Sequence, residues 1–156
     1  MAFDVIVVVH DIASAQRLID FAKLVYGLGF RQLVATKVYG AAASSAVPEV
    51  TRLAIKLGRA FHVLATARDA VEVFQPTRVV TVTRDGGEPV DPWSYAEKLE
   101  GGKVMIILSG VDAGLGKDAA ALGEPVYPAG TEDKLSPIAE AAILLYPLAR
   151  RRASQA

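Results

Sequence analysis

The stretch best equipped for chemistry is Gly110-Val-Asp-Ala-Gly-Leu-Gly116, a glycine-rich loop directly behind the apolar run Lys103–Ser109. Glycines behind a strand let the chain turn tightly and let a ligand touch backbone N–H and C=O groups. Two phosphate-binding patterns nearly fit. Gly114-Leu-Gly-Lys-Asp-Ala119 satisfies G-x-G-x-x-A. A dinucleotide fold, however, carries that pattern in its first strand–helix turn and ends its next strand in an acidic residue, where this chain has Tyr127-Pro128. Gly110–Lys117 imitates a Walker A loop, but five residues separate its outer glycines instead of four, and Asp118 stands where a magnesium-binding hydroxyl belongs. A nucleotide- or dinucleotide-binding enzyme built on this loop stays open as a reading, as does a plain strand-to-helix turn.

Other reactive types are sparse. The two histidines are far apart, His10 at the end of the first apolar run and His62 inside a short one, and they have no metal-ligand spacing. His10 is a base or a capping residue, and His62 reads as structural. No cysteine is present, which excludes disulfides, thiolate catalysis and cysteine-based zinc sites. Trp93 and Tyr95, beside a loop, either stack on a base or fill the core, and core is the expectation. Arg150-Arg-Arg152 reads as a solvated helix end favoured by the helix dipole, with phosphate contact as its alternative.

The elements that must position these residues alternate regularly. Phe3–Val9 is a near-continuous β-branched run, the pattern of a strand buried on both faces of a parallel sheet. Asp11 or Ser14 caps a helix over Ser14–Tyr26 with an apolar stripe at Leu18, Ile19, Ala22 and Val25, and Gly27-Leu-Gly29 stops it. Strands follow at Gln32–Val38, Phe61–Ala65, Arg78–Thr83, Lys103–Gly110 and Glu124–Pro128. Helices are expected from Pro48 to Leu57, Arg68 to Phe74, Asp91 to Leu99 and Leu135 to Tyr146. The last has Ser136 as N-cap, Pro137 at its first position and an apolar face in Ile138, Ala141, Ala142 and Leu145. Tyr39–Val47 and Asp85–Pro89 read as loops. The pattern predicts an α/β fold, a parallel sheet of about six strands with helices on both faces.

At 156 residues the chain suits one domain over residues 1–150, with a basic tail at 151–156 expected to fray. The hydrophobic share of 52% is slightly above the globular average, yet no run approaches a membrane span. The N-terminus lacks the basic region of a signal peptide, so the expected compartment is the cytoplasm. A net charge of zero argues against indiscriminate nucleic-acid binding and leaves that role to a local basic patch.

The order of apolar strand, Gly-x-Asp-x-x-Gly-type loop, strand ending in Pro, and a polar entry to a small-residue helix reaching Tyr146 resembles the SpoU-like branch of the SPOUT methyltransferases. The likeness is strongest over residues 78–146. It implies a C-terminal trefoil knot that holds S-adenosylmethionine, a homodimer, and methylation of RNA (tRNA or rRNA, on ribose or base). Carried over by position, it implies cofactor contacts at Val82 and Thr83, at Ser109 and Gly110, at Tyr127, and at Lys134 and Leu135. Gly110 is then expected to be glycine because cofactor approaches its backbone. Counting back from Gly29, the family's Asn and catalytic Arg of the first helix fall on Arg17 and Lys23. Its Asn before the last helix falls on Ser136, and the acidic residue of its glycine loop on Asp112. Arg17, Lys23 and Ser136 are thus the catalytic candidates, with the family's Asn and Arg replaced. A catalytically silent RNA-binding module with the same fold is the further alternative.

Overall fold

The computed structural model describes residues 3–99 and 101–154. Its centre is a seven-stranded sheet in the order β3-β2-β1-β6-β4-β7-β5, with every pairing parallel. The strands are β1 (Phe3–Ile12), β2 (Gln32–Val38), β3 (Ala60–Leu64), β4 (Arg78–Val82), β5 (Glu88–Val90), β6 (Gly102–Ser109) and β7 (Glu124–Pro128). The helices are α1 (Ala15–Gly27), α2 (Val47–Leu57), α3 (Ala67–Phe74), α4 (Pro92–Lys98), α5 (Lys117–Ala120) and α6 (Pro137–Ser154). β1 pairs with the whole of β6, from Phe3 to His10, at the middle of the sheet, and Val5–Val9 and Val104–Leu108 are buried. Both strands have neighbours on either side and layers above and below, so each side chain along them must be apolar.

One face carries α1, α2, α4 and α6 over Val7, Val9, Leu33, Ile106 and Val126. The other carries α3 and α5 over Ile6, Val8, Val34, Met105 and Ile107. Local chemistry sets the helix ends. The Ser14 side chain accepts from Arg17 N at α1, Thr66 and Asp69 form a capping box at α3, and Asp91 caps α4 ahead of Pro92. Gly58 ends α2 in the left-handed conformation.

Several elements differ from the sequence reading. The sheet has a seventh strand, β5, because Glu88–Val90 pairs with the edge of β7, and on an edge the missing N–H of Pro89 does no harm. The Gly/Ala/Ser stretch 40–46 is helical, a π-turn over Ala42–Ala46 running into α2. Ala42 and Ala46 are buried against the helical layer, and their small side chains permit that close approach. The helix after β6 is the single turn α5, far too short for a dinucleotide-binding helix. α6 continues past Tyr146 to Ser154 with Pro147 inside it, so Arg151 and Arg152 are helical instead of frayed. Arg152 lies over the Phe30 ring at 5.6 Å and donates to Gly29 O. Tyr95 is core, as expected, whereas Trp93 is 54% exposed and meets Tyr146 edge-on. His62 is exposed on edge strand β3, T-shaped against Phe74.

Candidate functional site

The chain leaves β1 through α1 toward β2, and leaves β6 through α5 toward β7 on the other side. Adjacent strands thus send their connections in opposite directions, and open α/β sheets place ligands in the crevice at such a point. Here that crevice lies at His10–Ile12 of β1 and Ser109–Gly110 of β6, with the glycine loop 110–116 above it.

The loop is braced from three directions. Ser109 Oγ donates to Val111 O at 2.8 Å and accepts from Val111 N at 3.1 Å, locking the first turn. Gly110 N donates to His10 O at 2.8 Å, and Gly110 O accepts from Arg17 Nη1 at 3.1 Å. Arg17 Nη2 also reaches Asp112 Oδ1 at 3.4 Å. Both backbone groups of Gly110 are therefore engaged within the protein, and a Cβ there would lie 2.5 Å from Asp11 O and 2.7 Å from Ile12 Cβ. The approach of β1 is by itself a sufficient reason for glycine at 110, whether or not a cofactor also approaches its backbone. Gly114 is the reverse case. Its φ of +86° requires glycine, but nothing stands within 4 Å of a Cβ, so this side of the loop is open.

The loops after β4, β6 and β7 meet at a pocket enclosing about 60 Å³, lined by Val82, Thr83, Arg84, Gly114, Lys134 and Glu140 among others. Gly87 allows the turn after β4 to close tightly beneath the Thr83 carbonyl. The Arg84 guanidinium sits 4.6 Å over the Tyr127 ring and donates to Thr131 Oγ1 and, at 3.0 Å, to Asp133 O. One side chain thus clamps the β7–α6 loop against β4 and leaves its buried Nε without an acceptor among the described residues. Glu140, half-buried in the first turn of α6, has its carboxyl pushed up by loss of solvent, against the opposing pull of Arg84 and Lys134.

Of the residues expected at the cofactor, Val82, Thr83 and Lys134 line this pocket. Ser109 and Gly110 brace the glycine loop, Tyr127 lies under Arg84, and half-buried Leu135 leads into α6. Of the catalytic candidates, Arg17 meets Gly110 and Asp112 of its own chain. Lys23 is exposed six residues along α1, about 240° around the helix from Arg17 at 100° per residue. The Ser136 hydroxyl caps α6, accepting from Ala139 N at 3.3 Å. Arg84 and Glu140 were not singled out in the sequence. An acidic residue in a helix's first turn is ordinary dipole complementation, and only the tertiary fold turns Glu140 into a pocket wall.

Solved structures share this architecture. A probable methylase family protein from Haemophilus influenzae superposes with a TM-score of 0.78 at 15% identity, over 99% of this chain and 69% of that one. The SpoU methyltransferase AviRb from Streptomyces viridochromogenes, solved in complex with its cofactor AdoMet, gives 0.69 at 17% identity over 99% and 63%. The fold is that of the SpoU-like methyltransferases. Sequence relatives are described differently. A protein of Aeropyrum pernix named "Putative type II restriction enzyme ApeKORF2002P" is 46% identical over 96% of both chains. A family model described as "RecB-family nuclease (DUF2122)" matches residues 40–147. By that match the chain belongs to the DUF2122 family, described as a RecB-family nuclease.

Proposed function

We propose that the protein is an S-adenosylmethionine-dependent methyltransferase acting on RNA, with the cofactor held at the Thr83–Gly114–Glu140 pocket. The observation that carries this reading is the convergence of three strand-end loops on one pocket, in a fold shared with a methyltransferase solved with AdoMet. The groups present suit such a cofactor. Gly114 leaves an open cradle, Glu140 offers a carboxylate to an ammonium group, and Arg84 has a buried Nε with no acceptor among the described residues. Backbone at Val82 and Thr83 lies at a strand end, where main-chain groups can pair with an adenine edge. With about 60 Å³ enclosed, only one end of the cofactor would be covered.

When bound, S-adenosylmethionine supplies a methyl group on a cationic sulfur for in-line displacement. The chain's contribution is positioning. Arg84 holds the β7–α6 loop, Arg17 holds the glycine loop through Gly110 and Asp112, and Ser136 fixes the start of α6. Arg17 also places a cation beside the crevice, where charge developing on an acceptor oxygen is stabilised. A homodimer belongs to the same proposal. Ile143 and Tyr146 of α6 are 41% and 49% exposed beside Trp93, an apolar surface suited to a second copy.

The family description favours a second reading, a nuclease. Metal-dependent nucleases gather carboxylates around one or two cations. Among the described residues no group of three or more His, Asp or Glu side chains is placed to hold one. Calorimetric titration with S-adenosylmethionine, then transfer of labelled methyl to bulk RNA, tests the first reading. Magnesium-dependent cleavage of nucleic acid without cofactor binding would replace it with the second.

A further inference from the structure

Across the glycine loop from the cofactor pocket, the C-terminal ends of β1 and β2 form the floor of a groove that the methyl-transfer reading leaves unused. Two hollows of about 500 and 310 Å³ share His10, Asp118 and Ala119 in their walls, so they adjoin. The first extends to the start of α3 at Arg68, and the second to Asp11, Lys37 and Lys117. Gly114 borders both this groove and the cofactor pocket.

The floor has an unusual backbone. Asp11 and Lys37 follow the register pair His10–Thr36 on adjacent parallel strands, and both take left-handed φ angles, 69° and 50°. Side-chain-bearing residues rarely adopt this conformation, and two at matched positions are held there by their surroundings. The Lys37–Asp11 pair, 3.6 Å apart with the lysine largely exposed, contributes too little to be the cause. His10 Nδ1 is paired with the buried Thr36 hydroxyl at 2.8 Å, which leaves Nε2 as the ring nitrogen available to the groove.

Lys37, Arg68 and Lys117 stand around this floor, all exposed and each from a different element. In a chain with no net charge, three cations on one groove form a local basic site. Against them stand two carboxylates, Asp11 and Asp118, so one positive charge remains with His10 neutral. That balance suits a phosphodiester, which carries a single negative charge, better than a free phosphate with nearly two.

We propose that this groove binds the phosphodiester backbone of a nucleic-acid strand, with Lys37, Arg68 and Lys117 on phosphates and His10 Nε2 and Asp118 hydrogen-bonding sugar or base. It deepens the substrate half of the function proposed above, because a strand lying here runs past Gly114 toward the cofactor pocket. It stands independently of whether that pocket takes S-adenosylmethionine.

The test is fluorescence anisotropy with a labelled single strand of about 12 nucleotides, as RNA and as DNA of the same sequence. Binding is measured at roughly 50 and 200 mM salt. The variant is Lys37→Asn/Arg68→Gln/Lys117→Gln, in which Asn tolerates the left-handed φ at position 37. Arg31→Gln is the control, an exposed cation just before β2, at the other end of the strands. Thermal melting and S-adenosylmethionine calorimetry accompany each protein. The triple variant is expected to bind at least tenfold more weakly, with its salt slope reduced by about 2, three contacts at about 0.7 each. Melting and cofactor affinity should not change, and Arg31→Gln should bind as the wild type does. Loss for RNA alone assigns a ribose contact, and equal loss for RNA and DNA assigns the backbone alone; either supports the groove. Wild-type affinity in the triple variant, no binding by the wild type, an equal loss in Arg31→Gln, or displacement by inorganic phosphate at equal phosphate concentration would overturn it. Groove-dependent binding without cofactor binding would sink the methyl-transfer reading and leave this one standing.

Discussion

Alanine at Gly110 and alanine at Gly114 should separate two reasons for glycine in one loop. A Cβ at Gly110 would sit 2.5 Å from Asp11 O and 2.7 Å from Ile12 Cβ, whereas ordinary contacts begin near 3.4 Å. β1 and β6 would have to part by up to about 0.9 Å where Gly110 N bonds His10 O. Both strands are core, so relief must come from the backbone. Overpacking of this kind costs about 1–3 kcal/mol, and for a chain of this length each kcal/mol lowers the melting temperature by roughly 2–4 °C. Gly110→Ala should therefore melt about 2–12 °C below wild type, and valine lower still.

Gly114→Ala meets no neighbour and pays only for its left-handed φ, about 1–2 kcal/mol. Its methyl group, however, enters the space proposed for the cofactor. Calorimetric melting and S-adenosylmethionine titration of both variants check the distinction. Gly110→Ala should lose stability and keep cofactor affinity per folded molecule, while Gly114→Ala should lose affinity by tenfold or more. Wild-type melting in Gly110→Ala would refute the packing argument, and unchanged affinity in Gly114→Ala would move the cofactor elsewhere.

Glu140→Gln should raise the melting temperature at neutral pH, because burial lifts the carboxyl's folded pKa above its unfolded one. In that case the folded state holds the proton more tightly, so wild-type stability falls as pH rises from the unfolded value through the folded one. The glutamine variant should lack this slope in melts between pH 4 and 8, and should bind S-adenosylmethionine more weakly if the carboxylate meets its ammonium group. Arg17→Ala should cost about 1–2 kcal/mol by leaving Gly110 O unpaired and should reduce methyl transfer, while Lys23→Ala should be silent in melting and activity alike. A double change Ile143→Glu/Tyr146→Glu should convert a dimer to a monomer in light scattering without loss of fold, and a wild type already monomeric at micromolar concentration would remove the dimer proposal.

Much of the fold was legible because its signals were redundant. Val5–Val9 and Val104–Leu108 are unbroken apolar runs, which only a strand covered on both faces needs, and caps such as Ser14 and Asp91 mark the helices that alternate with them. The errors came where composition and context disagreed. Residues 40–46 read as loop for their Gly, Ala and Ser, yet alanine is the best helix former, and the burial of Ala42 and Ala46 decided the outcome. Glu88–Val90 is too short to signal a strand by itself and depends on β7 for its hydrogen bonds. In the site, the glycine loop was visible, but the division of labour within it was not. Gly110 and Gly114 are alike in sequence, and only the position of β1 makes one a packing glycine and the other an open one.

The two descriptions attached to this chain's relatives make different demands on the same strand ends. Phosphodiester cleavage with metal ions needs several carboxylates converging where β1, β6 and β4 finish. The carboxylates nearest those ends are Asp11, Asp85 and Glu140, and among the described residues they form no group placed to hold a metal ion. Asp112 is spent on Arg17, and Asp118 lies on the far side of the glycine loop among cations. Methyl transfer asks for less, an open backbone cradle and a place to hold the acceptor, the roles proposed above for the Gly114 side of the loop and the His10 groove. A nucleic-acid-binding groove is compatible with either description. Binding of S-adenosylmethionine is compatible with only one, so titration with it discriminates between them more sharply than any assay of nucleic-acid binding.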